Sequence, residues 1–261
     1  TSLGTNPAGL AAARRAQLDT TFTSGVIDDS FGFLGWAQPL PLGTAAAGLS
    51  YYDAGTINIR YASGATETRT AARDFVGHAA WALPLPGNLS AGATFKYYRF
   101  ELAQEARASG FAADLGAQWK TPLAGLALGG AVQNLGPGIK FEVDREPLPL
   151  IWRGGASWSL KSVPGAEDYA ATYLAATSFL VSADAIKVRD EPVVAALGGE
   201  MALNFAAKTS IAVRAGIRLN SNADRLTFGL GVREGRYVLD YALSEKRSLG
   251  QVHHAGLGVR F

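Results

Sequence analysis

Three stretches of the chain, 31–52, 75–95 and 121–139, carry no formal charge. Each is about as long as the roughly twenty apolar residues of a membrane-spanning helix. Each also contains proline and several glycines, including "PLPLG" (39–43) and "PLPG" (84–87). A turn of that kind breaks a lipid-exposed helix in half. The stretches therefore read as hairpins. Near the C-terminus the period is explicit: in "TSIAVRAGIRL" (209–219), Ile211, Val213, Ala215, Ile217 and Leu219 share one face, and Ala212, Arg214, Gly216 and Arg218 share the other. A two-residue period is that of a strand with two unlike faces. "RLTFGLGVR" (225–233) and "YVLDYAL" (237–243) repeat it.

Strands of this type are predicted near 18–26, 29–38, 44–53, 70–83, 88–101, 107–120, 124–135, 149–160, 172–185, 191–204, 208–220, 224–233, 236–244 and 251–261. Many exceed the roughly five or six residues usual in soluble sheets and match the nine to eleven or so that cross a bilayer at a tilt. A β-sandwich would also alternate. Here, however, aromatic and aliphatic residues fill one face of nearly every strand, and the other face carries glycine and charges of both signs, Asp114, Arg153, Asp184, Glu200, Arg214, Arg218, Arg233, Asp240 and Arg260 among them. A polar, crowded interior inside a greasy wall is the pattern of a membrane barrel. The predicted fold is all-β: a 14-stranded antiparallel transmembrane β-barrel with a short N-terminal helical plug segment, divided as 1–17 (plug) and 18–261 (barrel).

A tryptophan followed three residues later by Pro-Leu occurs in "WAQPLPLG" (36–43), "WALPLPG" (81–87) and "WKTPLAG" (119–125), with a looser copy, "WSLKSVPG", from Trp158. The repeat is one up-down hairpin long. Placed at strand ends, the rings form an interfacial girdle and the proline turns lie on the rim with short connections. The opposite rim receives the longer connections 54–69, 101–108 and 136–148. That asymmetry is the outer-membrane pattern of short periplasmic turns and long external loops.

Twenty-four basic and 22 acidic residues are spread along the chain, with no basic tract of the kind that binds nucleic acid. The absence of cysteine excludes thiol catalysis, thiolate metal sites and a disulfide scaffold. No signal peptide is present, and the abrupt opening "TSLGTNPAGLAAARR" fits a chain whose upstream portion has been cleaved or left out. The stretch 8–18, "AGLAAARRAQL", is rich in helix formers and is predicted helical.

Several motifs together resemble the PorV/PorQ-type branch of the FadL-like outer-membrane barrels: "NPAGLA" (6–11), "AVQNLG" (131–136), "LPLIWRGGASW" (148–158), "GGE" (198–200), "LDYAL" (239–243) and "LGQVHHAGLGVRF" (249–261). The resemblance covers essentially the whole chain. It implies a fourteen-stranded barrel whose N-terminal segment folds into the lumen, with Asn6, Pro7, Ala8, Gly9 and Leu10 as the plug. The family's usual glycine-rich stretch ahead of the NPA element is missing, since only five residues precede it here. The closing strand, with Leu257, Val259 and terminal Phe261 on its apolar face, resembles the C-terminal signal by which such barrels are recognised for assembly.

Further candidates follow from the residues. Asp184, Glu200, Arg214, Arg218, Arg225 and Asp240 lie on neighbouring strands and form the expected lumenal charge network, more readily a set of mutual pairs than a conduction path. The loop 136–149, with Phe141, Val143, Asp144 and Arg145, mixes apolar and charged residues and is the candidate contact surface for a protein partner. His78, His253 and His254 are the only candidate general bases and none adjoins a nucleophile motif, so an enzyme is not expected. His253 and His254 point to opposite faces and cannot share a metal. "GLGVREG" (229–235) lies within a strand, where its glycines make room for neighbours instead of cradling phosphate. No cofactor is expected.

Three functions fit. The resemblance implies an accessory subunit of a secretion or surface-attachment assembly in the bacterial outer membrane, with protein partners. The alternative is a FadL-like passive transporter of a hydrophobic ligand. A structural barrel in a larger envelope complex is the third. All share outer-membrane lipid as surroundings.

Overall fold

The computed structural model describes residues 2–26, 28–140, 145–161, 177–206, 208–221, 224–246 and 250–261, with the backbone alone at 161, 205, 206, 224 and 225. The strands in chain order are β1 (Gln17–Ser24), β2 (Ser30–Leu40), β3 (Gly43–Asp53), β4 (Thr56–Arg60), β5 (Thr66–Thr70), β6 (Ala72–Leu85), β7 (Leu89–Leu102), β8 (Ala106–Lys120), β9 (Leu126–Leu135), β10 (Ile139–Lys140), β11 (Arg145–Glu146), β12 (Ile151–Lys161), β13 (Thr177–Val188), β14 (Val194–Ala206), β15 (Thr209–Leu219), β16 (Asp224–Glu234), β17 (Tyr237–Lys246) and β18 (Gly250–Arg260). Fourteen of them form one closed antiparallel barrel in which each strand pairs with its sequence neighbours and β1 pairs with β18. The remaining four make two small hairpins, β4–β5 and β10–β11, at the rim opposite the Trp-Pro turns.

Closure settles which solvent meets which face. Along β16 and β18 the outward residues Phe228 (56% exposed) and Leu257 (42%) have nothing over them, and Phe95, Phe111, Leu230 and Leu239 stand out in the same way on their own strands. Soluble proteins rarely expose an apolar patch larger than a few hundred Å². A continuous apolar belt around a closed cylinder is the surface of a barrel in lipid. The residues opposed to this belt, such as Thr94, Lys96, Asp114 and Gln133, are the buried ones, so the lumen is the polar compartment.

The tryptophan repeat has a geometric origin. The short turns place Gly43, Gly87 and Gly125 at φ of +132°, +75° and +82°, backbone that favours glycine. Each tryptophan leans on the turn of the preceding hairpin. Trp119 Nε1 donates to the Gly87 carbonyl at 3.2 Å, and Trp158 Nε1 donates to the Ala124 carbonyl at 3.2 Å. A Cβ on Gly43 would lie 3.2 Å from Trp81 Nε1. The first of the series, Trp36, meets instead the ring of Phe261 at 5.4 Å, on the far side of the β1–β18 seam. Pro-Leu ends β2 and β6 and lies in the turn after β8, glycine reverses the chain, and the indole braces the result.

Three expectations need correction. The stretch 8–18 is not an α-helix: only Pro7–Ala12 is helical, as a 3-10 segment capped by Asn6, and Ala13 has already returned to extended backbone at φ −66°, ψ 124°. Alanine propensity is a weak preference that wall contacts and the start of β1 at Gln17 override. The connection 101–108 is not long. β7 and β8 both continue beyond the belt and are joined by residues 103–105, with Ala103 and Gln104 at φ of +48° and +62°, as a tight hairpin requires. Residues 54–69 are not a plain loop, since most of them pair as β4–β5. Ile57 and Ile59 face Arg69 and Glu67 across the pair, and the hairpin forms a two-stranded sheet of its own outside the barrel. On the short-turn rim, the connection between β12 and β13 spans 162–176, which lies outside the described residues together with the predicted strand start at 172.

Candidate functional site

The lumen is occupied on one side. The N-terminal segment packs along the inner face of β3, β6, β7 and β8. Leu3, Leu10, Phe33, Ala37, Ala46 and Ala82 form a buried apolar cluster between segment and wall. Asn6 fastens it: its Nδ2 donates to the carbonyls of Ala117 and Gly130, both at 3.1 Å, and its Oδ1 accepts from the Ala8 amide at 3.0 Å. Gln133 Nε2 donates to the Gly4 carbonyl at 3.0 Å, and Arg153 Nε donates to Gln133 Oε1 at 2.7 Å. Two wall glycines admit the segment. A Cβ on Gly92 would sit 2.5 Å from the Pro7 carbonyl carbon, and one on Gly116 would collide with Asn6 Oδ1. Of the residues named from the sequence, Pro7, Ala8 and Leu10 are buried against this wall, Asn6 is the tether, and Gly9 abuts Ser2.

Along the same wall lies a polar cluster that sequence reasoning did not assemble. Asp114 is fully buried and Lys96 is 8% exposed. The ammonium lies 2.7 Å from Asp114 Oδ2, an ion pair too oblique to count as a hydrogen bond, and donates to Asn134 Oδ1 at 2.9 Å. Asn134, at φ +62°, marks the β8–β9 register shift, and Asp114 Oδ1 accepts its freed amide at 2.8 Å. A charge this deep is tolerable only when paired and hydrogen-bonded. Beside it Ser50 Oγ and His78 Nε2 are 3.0 Å apart. Asp114 had been read as one lumenal charge among many. The usable signal was Lys96, a lone cation on an otherwise uncharged inward face of β7.

The other half of the lumen is open. A cavity of about 680 Å³ is lined by Asp19, Asp184, Glu200, Arg214, Arg218, Asp240 and His254, with glycines between them. Arg214 bridges two strands, its Nε donating to Glu200 Oε2 at 2.6 Å and its Nη1 to Asp240 Oδ1 at 2.5 Å. Glu200, Arg214 and Asp240 are thus joined directly, Asp184 and Arg218 line the same cavity, and the Arg225 side chain lies outside the described residues. Asp184 and Arg218 also line a second space of about 420 Å³ that reaches Asn6 and Gln118. A third, of about 460 Å³, lies between the N-terminal segment and β2; Leu3, Leu10, Phe33 and Ala37 line it together with Arg14, Arg15 and Asp19.

The remaining candidates are placed as follows. In the loop after β9, Phe141, Val143 and Asp144 lie outside the described residues, and Arg145 Nη1 donates to the Pro137 carbonyl at 3.2 Å. Two apolar residues of that loop turn inward: Leu148 is buried with Tyr98 and Ala112, and Ile139 packs against the same cluster. Leu257 and Phe261 face outward and are exposed, and Val259 shares their face of β18. His253 meets Tyr241 Oη at 2.6 Å outside, whereas His254 meets Thr23 Oγ1 at 2.9 Å inside.

Solved structures of the same fold match the whole chain. The toluene transporter TodX of P. putida aligns with a TM-score of 0.62 at 11% identity, over 100% of this chain and 94% of its own. The monoaromatic hydrocarbon channel CymD gives 0.60 at 10%, over 100% and 92%. The toluene transporter TbuX of Ralstonia pickettii gives 0.57 at 12%, over 100% and 93%. At these identities the likeness is one of fold. No family model matches the chain, and no curated protein sequence does. The architecture is that of these transporter and channel barrels, and the resemblance to FadL-like barrels and to their PorV/PorQ branch draws on the sequence motifs.

Proposed function

We propose that the chain is a passive route for small hydrophobic molecules across the outer membrane, with residues 1–17 acting as a plug inside a barrel formed by 18–261. The observation that carries this reading is the space of about 460 Å³ between the N-terminal segment and β2, where Leu3, Leu10, Phe33 and Ala37 form an apolar side and Arg14, Arg15, Asp19 and Arg260 a charged one. Apolar pockets with a few polar groups at one end are the usual form of a ligand site. Full-length likeness to two toluene transporters and a monoaromatic hydrocarbon channel supports the same substrate class. The reading includes no catalytic step.

The accessory-subunit role rests on the PorV/PorQ resemblance and would use the loop after β9 as a contact surface. Ile139 and Leu148 in that loop are spent on the barrel's own interior, which weakens the loop as an apolar docking face. The test is uptake of labelled toluene by Gram-negative cells that lack their own aromatic transporter. Cells expressing the barrel should take it up several-fold faster than cells carrying an empty vector, and Ala37→Trp, which fills the pocket, should return the rate to background. Uptake equal to the empty vector would overturn the proposal.

A further inference from the structure

Among the described residues, cations inside this lumen have partners, except at one end. Lys96 is held by Asp114 and Asn134, Arg153 by Gln133, and Arg214 by Glu200 and Asp240. At the short-turn rim, the periplasmic one by the outer-membrane pattern, a cavity of about 610 Å³ is lined by Arg15, Lys208, Arg233, Arg236 and Arg260, with no acidic residue among its lining. Arg236 is engaged elsewhere, donating to Tyr237 Oη at 2.9 Å and lying over the Tyr237 ring. The other four make no ion pair among the described residues. Glu234, the carboxylate nearest in sequence, is turned to Thr209 Oγ1 at 2.6 Å. Asp19, whose charge Arg260 feels, lines the neighbouring space beside the N-terminal segment, and Arg233 feels Arg260 as a like charge first and then Asp240 and Glu200 as counter-charges further along the lumen.

Four cations from four separate places are brought to one concavity: the N-terminal segment supplies Arg15, the β14–β15 turn Lys208, the end of β16 Arg233 and the end of β18 Arg260. Like charges gathered around a cavity that no carboxylate lines repel one another, and an anion between them relieves that cost. Three of the four are guanidiniums, whose planar forks match the oxygens of carboxylate or phosphate. We propose that the periplasmic mouth is an oxyanion-binding site, taking a phosphate or carboxylate group between Arg15, Lys208, Arg233 and Arg260. The group could belong to a free solute or to a phospholipid headgroup of the inner leaflet, and the site stands independently of whether the lumen carries hydrocarbons.

Titration calorimetry of the purified barrel in neutral detergent at low salt, with inorganic phosphate as the probe, tests the free-solute case. Retention of phosphatidylglycerol over phosphatidylcholine on extraction from mixed vesicles tests the headgroup case. Arg233→Gln/Arg260→Gln alters two strands, so Arg15→Gln/Lys208→Gln, which leaves every strand intact, serves as the second variant, and folding of each is verified by heat-dependent mobility on gels. Arg107→Gln, whose guanidinium pairs with Glu101 at the other rim, is the control. Phosphate binding that weakens at least tenfold in both double variants and with added sodium chloride establishes a soluble oxyanion. Phosphatidylglycerol retention lost in both double variants, without phosphate binding, establishes the headgroup. Neither signal in the wild type, or signals unchanged in both double variants, overturns the site. Because toluene uptake is read separately, either proposal can fail alone.

Discussion

The half of the barrel from β2 to β9 and the half running from β13 through β18 to β1 present the same greasy face to lipid and differ only inside. In the first, small residues make a seat for another piece of chain, and the charge behind it is sealed. In the second, small residues leave space among long charged side chains, which meet across a cavity. Glycine serves both. At Gly92 it admits the backbone of Pro7, and at Gly231 a Cβ would stand 2.7 Å from Asp240 Oδ1 and 3.0 Å from Arg214 Nη1. Glycine on an inward face therefore reports that something comes close, and the neighbouring strands decide what.

The largest effect should separate the two halves by the environment of their ion pairs. Asp114→Ala strands Lys96 in a buried site and is expected to lower the unfolding free energy by about 3–5 kcal/mol. Arg214→Gln acts on partly exposed groups and should cost about 1 kcal/mol or less. Urea unfolding in lipid vesicles, followed by gel mobility, measures both; equal losses would erase the distinction between sealed and open halves.

Next in size is displacement of the N-terminal segment. Gly92→Leu should push Pro7 off the wall and speed protease cleavage within residues 2–16 by about tenfold, the equivalent of about 1.4 kcal/mol of local opening. Gly198→Leu, facing the open cavity, adds the same bulk and should leave cleavage unchanged. Faster cleavage in both would mean that the segment is not seated on one side.

The smallest effect concerns the β4–β5 hairpin, which rises from the filled half. Hydrogen bonds from Arg69 and Tyr61 hold the Glu67 carboxyl at about 2, below its ordinary 4.5. Arg69 also reaches Glu105 in the next external turn. A carboxyl depressed in the folded state contributes fully above its unfolded value and loses that contribution as pH falls through about 2. Amide protection in Thr66–Thr70, measured against the exchange of an unstructured peptide at the same pH, should fall on acidification from pH 5 to pH 2, and Glu67→Gln should abolish that fall. An unaltered pH profile in the variant would remove Glu67 as its source.

The wall was legible in the sequence and its contents much less so. Alternation over ten or more residues locates a strand whatever fills the lumen, so all fourteen barrel strands stand close to where the period put them. At the external rim the predicted strands 88–101 and 107–120 stop one residue short of Leu102 and Ala106, and only the connection between them, taken as 101–108, is shorter than expected. Glu200, Arg214 and Asp240 were recognisable as a group because they lie on nearby strands with a common parity. Lys96 and Asn134 were not, since their meeting depends on a register shift at one asparagine. The placement of Asn6 was implied by family resemblance, while its two wall carbonyls, 111 and 124 residues away, have no local signal at all.

The indoles that brace the short turns point one way along the chain. Trp119 reaches back to the turn after β6, and Trp158 reaches back to the turn after β8, so each of these stitches ties a later hairpin to an earlier one. Such a stitch cannot be made until its anchor exists. A cylinder laid down hairpin by hairpin from its N-terminal side would find each anchor waiting, and Trp36 against Phe261 would be the last to engage, when the final staple meets the first.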